Sequence, residues 1–296
     1  MRKRLAIALA LCGALFAETL IAAPRADVIA QFVWDVDVDG FGGLSGLEVD
    51  EKGSNFTAIS DTGVIYKGAF VRDGKGVVTG AKLLESRALL FENGKRPEEK
   101  RKRDTEGLAA STPTGIYISA ESSPRLLHYK THDATPDSAK LPSIDAQAPT
   151  NMGFEALARS PEGLLVALPE RSASIRAPYD VFRQTGKGDW EVIYRLPRHG
   201  GFRPVGADFG PDGHLYVLTR AFSGFAFASR IERIIFENTV PIAHETLFTG
   251  RFGQTDNLEG LATWQAGPND LRLYAISDDN FSAAQSTEIV EFGVQD

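Results

Sequence analysis

Short apolar runs recur along this chain about every 50 residues, and the same polar positions frame each of them. In the best-preserved copies, a glutamate, a small residue and a leucine open one run. A second run, rich in β-branched and aromatic residues, ends in an acidic residue. Glu106 and Glu121 are 15 residues apart, as are Glu155 and Glu170. The clear copies begin at Glu106, Glu155 and Glu259, and two degenerate copies begin at Ser45 and Val205.

Each repeat is long enough for four short strands. In several copies the first two runs are separated by residues typical of tight turns, as at residues 161–163 (PEG) and 211–213 (PDG). Two further strand candidates follow each repeat, for example residues 125–129 and 138–144 in the second unit. Four strands per unit are typical of one propeller blade, so the sequence predicts an all-β propeller of five four-stranded blades. A six-bladed ring, with extra strands from residues 80–103, is the alternative.

The fifth unit reaches the end of the chain one strand short. Its last strand candidate is residues 287–292, and the missing outer strand can come from residues 28–38. Pairing the two ends in one blade would close the ring and leave no open edge. Within this segment, Asp35, Asp37 and Asp39 begin like a calcium loop, but Gly46 stands at the twelfth position where that loop needs glutamate. The alternation therefore favours a strand with one solvated face.

The first 23 residues have the pattern of a signal peptide. A basic start at residues 2–4 precedes an apolar stretch over residues 5–17, and Ala22 and Ala23 are small residues suited to cleavage. We expect residues 1–23 to be removed and residues 24–296 to form the propeller domain of a periplasmic or secreted protein. An uncleaved anchor helix is the alternative. No later segment has the length of a membrane span.

The composition limits the chemistry. The net charge of −7 argues against a nucleic-acid partner, because neutralising phosphates requires a basic surface. The only cysteine, Cys12, lies in the signal segment, so the mature chain has neither a disulfide nor a thiolate metal site. We expect a monomer without an organic cofactor.

The recurring acids are the candidate functional residues. Equivalent positions in successive blades form rings around the axis, and carboxylates sharing a channel repel one another unless a cation neutralises them. Ca²⁺, which takes six to eight oxygen ligands, suits such a site. Pairing with arginines, including Arg220, is the alternative, and Arg220 is also a candidate anion-binding residue. The candidate channel acids are Glu106, Glu155, Glu259 and Asp278, and the candidate metal ligands are Asp61, Glu121, Glu170 and Asp278.

Several segments resemble the phytase-like family of exported bacterial proteins. They lie in the expected order over roughly residues 40–293: residues 43–47 (GLSGL), 59–61 (ISD), 218–223 (LTRAFS), 256–262 (DNLEGLA), 277–281 (SDDNF) and 285–287 (QST). Thr219 stands where that family usually carries an acid before the arginine. The resemblance implies a propeller with esterase-like activity, on phosphoric or carboxylic esters. It brings no set of catalytic residues with it.

Three hypotheses about function follow. The first is a Ca²⁺-assisted ester hydrolase acting at the channel mouth. The second is a non-catalytic propeller that binds a small ligand or an envelope partner, and the third is a structural ring of acids and arginines. Residues 198–204 (RHGGFRP) approach the histidine acid phosphatase signature, but Phe202 occupies the position where that signature requires arginine. The predicted all-β fold also lacks the α/β scaffold of that chemistry.

Overall fold

The computed structural model describes residues 23–111, 115–121, 124–142, 153–186 and 188–296. Within these ranges the chain forms five antiparallel sheets of four strands each. In four of the blades the strands follow one another in chain order, from the channel to the outside. The five-bladed prediction is confirmed.

The strands divide among the blades as follows. Blade 1 contains β2 (Leu44–Val49), β3 (Asn55–Ser60), β4 (Val64–Arg72) and β5 (Val78–Ala88). Blade 2 contains β6 (Thr105–Ser111), β7 (Gly115–Ala120), β8 (Arg125–Tyr129) and β9 (Asp137–Lys140). Blade 3 contains β10 (Ala156–Arg159), β11 (Leu165–Leu168), β12 (Tyr179–Gln184) and β13 (Trp190–Leu196). Blade 4 contains β14 (Arg203–Phe209), β15 (Leu215–Phe222), β16 (Phe227–Glu237) and β17 (Val240–Thr249). Blade 5 contains β18 (Leu258–Gly267), β19 (Asp270–Ser277), β20 (Glu288–Gln295) and β1 (Arg25–Val33).

The two ends of the chain close the ring. β1 is the outermost strand of blade 5 and pairs with β20 from Arg25 opposite Gln295 to Val33 opposite Glu288. The predicted closure is therefore confirmed, although the strand begins and ends earlier than expected. Residues 35–38 are not a strand, and that part of the prediction was wrong. The chain leaves the sheet at Trp34, whose buried indole packs edge-on against Phe41 and Phe56.

Residues 80–103 do not add a sixth blade. The first part belongs to β5, and the only helical element that follows is a single 3₁₀ turn, Lys100–Lys102. Between them, Leu89 and Phe91 are fully buried in the core shared by blades 1 and 2. Across the described ranges, none of the helical segments has the length and apolar character needed to cross a membrane.

The core lies between blades rather than inside them. Each hydrophobic cluster joins one pair of neighbouring blades, as where Leu218 of β15 packs with Leu273 of β19. Burying both faces of every sheet in this way removes apolar area from water at each blade boundary, which is the main stabilising contribution. The ring therefore depends on its closure, since an open seam would expose one of these clusters.

The small residue of each repeat lets the inner strands meet near the axis. A Cβ on Gly107 would lie 2.6 Å from the carbonyl oxygen of Glu155, and one on Gly206 would lie 2.4 Å from that of Glu259. The inner strands leave an axial cavity of about 10 Å³. That space holds roughly one water molecule. We conclude that a larger ligand can approach the acids only from the channel mouth.

Candidate functional site

The first set of recurring positions lies on the innermost strands or, for Glu155, directly before one. We name it the inner ring: Ser45, Glu106, Glu155, Val205 and Glu259, the equivalent positions of blades 1 to 5. The charge of Glu106 interacts with both Glu155 and Glu259, so carboxylates from three different blades converge on the axis. The structure thus brings these three predicted acids together.

The second set lies at or near the end of the second strand of each blade. We name it the mouth ring: Asp61, Glu121, Glu170, Arg220 and Asp278. In four blades the backbone N–H of this residue donates to the carbonyl two positions before the inner-ring residue, as Glu121 does to Asp104 at 3.0 Å. These bonds place the mouth ring beside the start of the inner strands. The two rings therefore lie at the same end of the channel.

One half of this end carries arginines. Arg220 donates hydrogen bonds to Glu259 and, at 2.7 Å, to Asn257. Its other terminal nitrogen lies 3.6 Å from Glu170, which also accepts a hydrogen bond from Arg203 at 3.1 Å. Only 18% of the Arg220 side chain and 11% of the Glu259 side chain are exposed. Glu170 and Glu259 are therefore neutralised across the boundaries that join blades 3, 4 and 5.

The opposite half has carboxylates without such partners. Carboxylate oxygens of Asp104, Glu106 and Glu121 lie within 4.8 Å of one another. Among the described residues, no lysine or arginine forms an ion pair with these three groups or with Glu155. Asp104 was missed by the sequence analysis. The equivalent positions in the other blades are Gly43, Gly153, Arg203 and Asn257, so the repeat gave no signal for it.

Burial and mutual repulsion raise the pKa values of three carboxyl groups in this half, those of Asp104, Glu106 and Glu155. Burial, followed by the charge of Glu155, raises the pKa of Glu106 well above its ordinary value. Burial, followed by Glu170, does the same to the pKa of Glu155. Burial raises the pKa of Asp104 to about 6, with Glu121 as the next cause. At neutral pH this half therefore needs either protons or a bound cation.

Asp278 is a mouth-ring acid whose pKa is raised. Burial, followed by the charge of Glu259, raises its pKa to about 8. Its Oδ1 accepts a hydrogen bond from the backbone N–H of Asn280 at 2.6 Å, which fixes the carboxyl group without neutralising it. The arrangement provides a carboxylic acid that can donate a proton near neutral pH.

Lys100 was another residue that the sequence analysis left out of the site. It comes from the 3₁₀ turn, and its Nζ lies 3.0 Å from Asp61 and 5.3 Å from the ring centre of Phe281. Burial raises the pKa of Asp61, and the Lys100 ammonium opposes that effect. The basic run at residues 95–103 thus places the Lys100 ammonium at the mouth, while Arg96 donates a hydrogen bond to the carbonyl of Thr62.

The donor chemistry of the half that contains Asp104, Glu106 and Glu121 fits Ca²⁺. Every candidate ligand there is a carboxylate oxygen, and hard cations prefer such ligands over nitrogen or sulfur. Asp104, Glu106 and Glu121 come from one blade, and their oxygens are already close together. Of the four predicted metal ligands, Glu121 belongs to this group. Asp61 and Glu170 are paired with cations, and Asp278 interacts with the charge of Glu259.

Comparison with known proteins identifies a family. The family described as "Phytase-like: Esterase-like activity of phytase" matches residues 39–281. No curated protein matches the chain.

Solved structures with similar folds are distant in sequence. The PQQ-bound aldose sugar dehydrogenase from Streptomyces coelicolor is 13% identical, with 92% of this chain and 98% of that chain covered and a TM-score of 0.49. A luciferin-regenerating enzyme is 13% identical, with 92% and 95% covered and a TM-score of 0.45.

Proposed function

This chain belongs to the phytase-like family, and from that premise we propose that it is a Ca²⁺-assisted hydrolase of phosphoric or carboxylic esters acting at the channel mouth. The observation that supports this proposal is the division of the mouth into two unlike halves. Asp104, Glu106 and Glu121 form a carboxylate cluster that makes no ion pair with a described lysine or arginine, whereas Arg203 and Arg220 carry positive charge on the other side. A cation site beside an anion site suits an ester with a charged or polar acyl or phosphoryl group.

Asp104, Glu106 and Glu121 are the residues that would hold Ca²⁺, with Glu155 beside them. When bound, the ion would polarise the ester oxygen and stabilise negative charge developing on it. The three carboxylates are close together before any ion binds, so little rearrangement is required of them. A bound ion would also relieve the repulsion among these carboxylates, which adds to the effect of burial in raising the pKa of Glu106.

The cations of the mouth would orient the substrate. The Arg203 side chain is 43% exposed and that of Lys100 is 58% exposed, so both can reach an anionic group while remaining tied to Glu170 and Asp61. Arg220 is more deeply placed and holds Glu259 and Glu170. We therefore assign substrate contact to Arg203 and Lys100, and positioning of the acids to Arg220, the predicted anion-binding residue.

Asp278 would supply the proton for the leaving group. Its pKa of about 8 keeps the carboxyl protonated at neutral pH, which is the state that a general acid requires. The backbone N–H of Asn280 fixes one oxygen, so the other can carry the proton.

A hydrolysis screen tests the proposal directly. Purified protein is assayed with p-nitrophenyl phosphate and p-nitrophenyl acetate, with added Ca²⁺ or with chelator. We expect turnover of one ester class that depends on Ca²⁺ and falls at least tenfold in Glu106→Gln. Glu162→Gln, on an exposed turn, is the matched control and should retain full activity. Turnover of neither ester, or turnover indifferent to Glu106→Gln, would contradict the proposal.

A non-catalytic binding role is the second candidate, and one surface feature favours it. The hairpin between β15 and β16 extends beyond Arg220 and exposes Phe222 (59%) and Phe225 (88%). Exposed aromatic side chains beside a polar pocket are typical of binding surfaces. Under this hypothesis, ligands would raise the melting temperature without turnover, and Phe225→Ser would abolish that shift.

We also propose that the protein is exported, on the pattern of residues 1–23. The mature form should begin near Ala23 or Pro24 and fractionate with the periplasm or the medium. N-terminal sequencing measures this, and intact Met1 on cytoplasmic protein would contradict it.

A further inference from the structure

A second group of metal-ligating side chains lies away from the channel mouth. Ligand atoms of His199, Glu232 and His244 are within 4.8 Å of one another. His199 lies in the connection from β13 to β14, Glu232 in β16 and His244 in β17. The group therefore sits where blade 3 passes into blade 4, towards the outside of the propeller. In the sequence, His199 belongs to the phosphatase-like segment at residues 198–204.

A neighbouring residue orients one of the two imidazoles. The Tyr194 hydroxyl and His244 Nδ1 form a hydrogen bond of 3.0 Å. Tyr194 belongs to β13, so this bond crosses the boundary between blades 3 and 4. It leaves His244 Nε2 as the nitrogen that can bind a metal. Metal-binding histidines usually have such a partner on their second nitrogen, which fixes the ring for coordination.

One nitrogen of the group is buried without a hydrogen-bond partner. Among the described residues, His199 Nε2 makes no hydrogen bond, and it lies 3.9 Å from Glu232 Oε1. The Glu232 side chain is 1% exposed. Leaving a buried polar atom unpaired costs stability, so His199 Nε2 calls for a ligand. An ion bound between the two side chains would give that nitrogen a partner.

Arg230 narrows the choice of ion. Its Nε lies 2.9 Å from Glu232 Oε1 and offsets the carboxylate charge. Thr246 donates to the other oxygen, Oε2, at 2.9 Å. With no net negative charge, the group offers little to Ca²⁺ or Mg²⁺, which bind through several oxygen ligands. An ion that prefers imidazole nitrogen is favoured, and two histidines with one carboxylate are a common ligand set for Zn²⁺.

We propose that His199, Glu232 and His244 bind a Zn²⁺-type ion that braces blade 3 against blade 4. The ligands come from the connection between the blades and from the two outer strands of blade 4, so a bound ion would hold this boundary together. Three protein ligands leave a fourth position for water. The His199 side chain is 36% exposed, so solvent reaches the site. This site is separate from the carboxylates of the channel mouth and does not depend on their function.

Zinc titration with matched variants tests the proposal. Chelator-treated, dialysed protein is titrated with Zn²⁺ by calorimetry, and Co²⁺ is added to a second sample to record its visible absorption. We expect one Zn²⁺ per chain and a Co²⁺ spectrum of the tetrahedral or five-coordinate type. His199→Ala and His244→Ala should each weaken Zn²⁺ binding at least tenfold. His132→Ala removes a histidine in blade 2 and should change nothing.

Two further variants show whether weaker Zn²⁺ binding results from lost coordination, from misfolding or from a change at the channel mouth. Tyr194→Phe keeps all three ligands and should weaken binding roughly tenfold, because orienting partners typically contribute that much. Glu106→Gln should leave Zn²⁺ binding unchanged. If His199→Ala fails to fold, His199→Gln replaces it. The proposal is overturned if the unmodified protein binds no Zn²⁺, or if binding is equal in the His199, His244 and His132 variants.

Discussion

Arg220 donates a hydrogen bond to Glu259 across the boundary between blades 4 and 5. It stands at the one mouth-ring position that carries a cation, and the acid it contacts belongs to the inner ring of the next blade. Blade 4 thus departs from the repeat by carrying an arginine at this position, and that arginine neutralises the repeated glutamate of blade 5. The departure from the repeat is therefore part of the site and supports its stability.

Removing this arginine should strongly destabilise the protein. Arg220→Met leaves Glu259 and Glu170, with side chains only 11% and 13% exposed, without their shared partner. We expect a loss of about 3–5 kcal/mol in the free energy of unfolding, because a buried charge is left uncompensated. Urea unfolding at neutral pH measures it. The double variant with Glu259→Gln should recover at least half of the loss, and a single-variant loss below about 1 kcal/mol would contradict this account.

Removing β1, the strand that closes the ring, should also destabilise the protein. A chain beginning at Trp34 lacks β1, exposes the hydrogen-bonding edge of β20 and uncovers the cluster that buries Ala26. We expect the melting temperature to fall by at least about 5 °C, since each kcal/mol corresponds to roughly 2–4 °C in a domain of this size. Adding a peptide of residues 24–33 should restore part of the loss. An unchanged melting curve would mean that β1 contributes little to the ring.

Much of the fold could be predicted because it is encoded in the repeat. The spacing of Glu106, Glu155 and Glu259 gave the blade period, and the shortened last unit implied closure by the N-terminal strand. The predicted strand was wrong at residues 35–38. Their alternation suited a strand, but the burial of Trp34 turns the chain out of the sheet before them. Tertiary packing outweighed the local pattern there.

The partners of the repeated acids could not be predicted in the same way. Asp104, Arg203 and Lys100 each occur in one blade or connection only, so no period reveals them. Which acids are neutralised depends on distances between blades, and these are set by how closely the inner strands approach at Gly107 and Gly206. The sequence predicted the two rings of acids. Which of these acids form ion pairs with arginine or lysine is seen only in the structure.

A partly buried carboxyl group of blade 4 should make stability depend on pH. Burial raises the pKa of Asp208 to about 7, from 3.8. The folded state thus holds the proton more tightly than the unfolded chain. The stability from this group is complete below about pH 4, and it is lost as the pH rises through about 7. Thr263 donates two hydrogen bonds to Asp208 Oδ2, and an asparagine oxygen could accept both.

Asp208→Asn should therefore gain stability over the unmodified protein as the pH rises. Urea unfolding at pH 4.5 and pH 8 measures the difference between the two proteins at each pH. We expect the variant to be clearly more stable at pH 8 and much closer to the unmodified protein at pH 4.5. Asp35→Asn, at an exposed position, is the control and should show no such trend. A difference that is the same at both pH values would show that Asp208 does not titrate in this range.

The metal hypothesis makes opposite predictions for two glutamates of the inner ring. Glu106 has no cationic partner among the described residues, whereas Glu259 is held by Arg220. In chelator, Glu106→Gln should raise the melting temperature, because it removes a carboxylate that its neighbours repel. Glu259→Gln should lower it, because Arg220 loses its partner. Thermal melts in chelator and in Ca²⁺ measure both effects.

Adding Ca²⁺ then distinguishes ion binding by the carboxylate cluster from charge repulsion alone. If Asp104, Glu106 and Glu121 bind the ion, the unmodified protein should gain roughly 2.7 kcal/mol at a hundredfold excess over the dissociation constant, because the ion binds only the folded state. Glu259→Gln should keep most of that gain, since its carboxylate already belongs to Arg220, whereas Glu106→Gln should lose most of it. Mg²⁺ should stabilise less than Ca²⁺, because it demands a more regular octahedral site. A melting temperature that is the same in chelator and in Ca²⁺ would show that protons alone neutralise this cluster, and the metal-assisted mechanism would then have no basis.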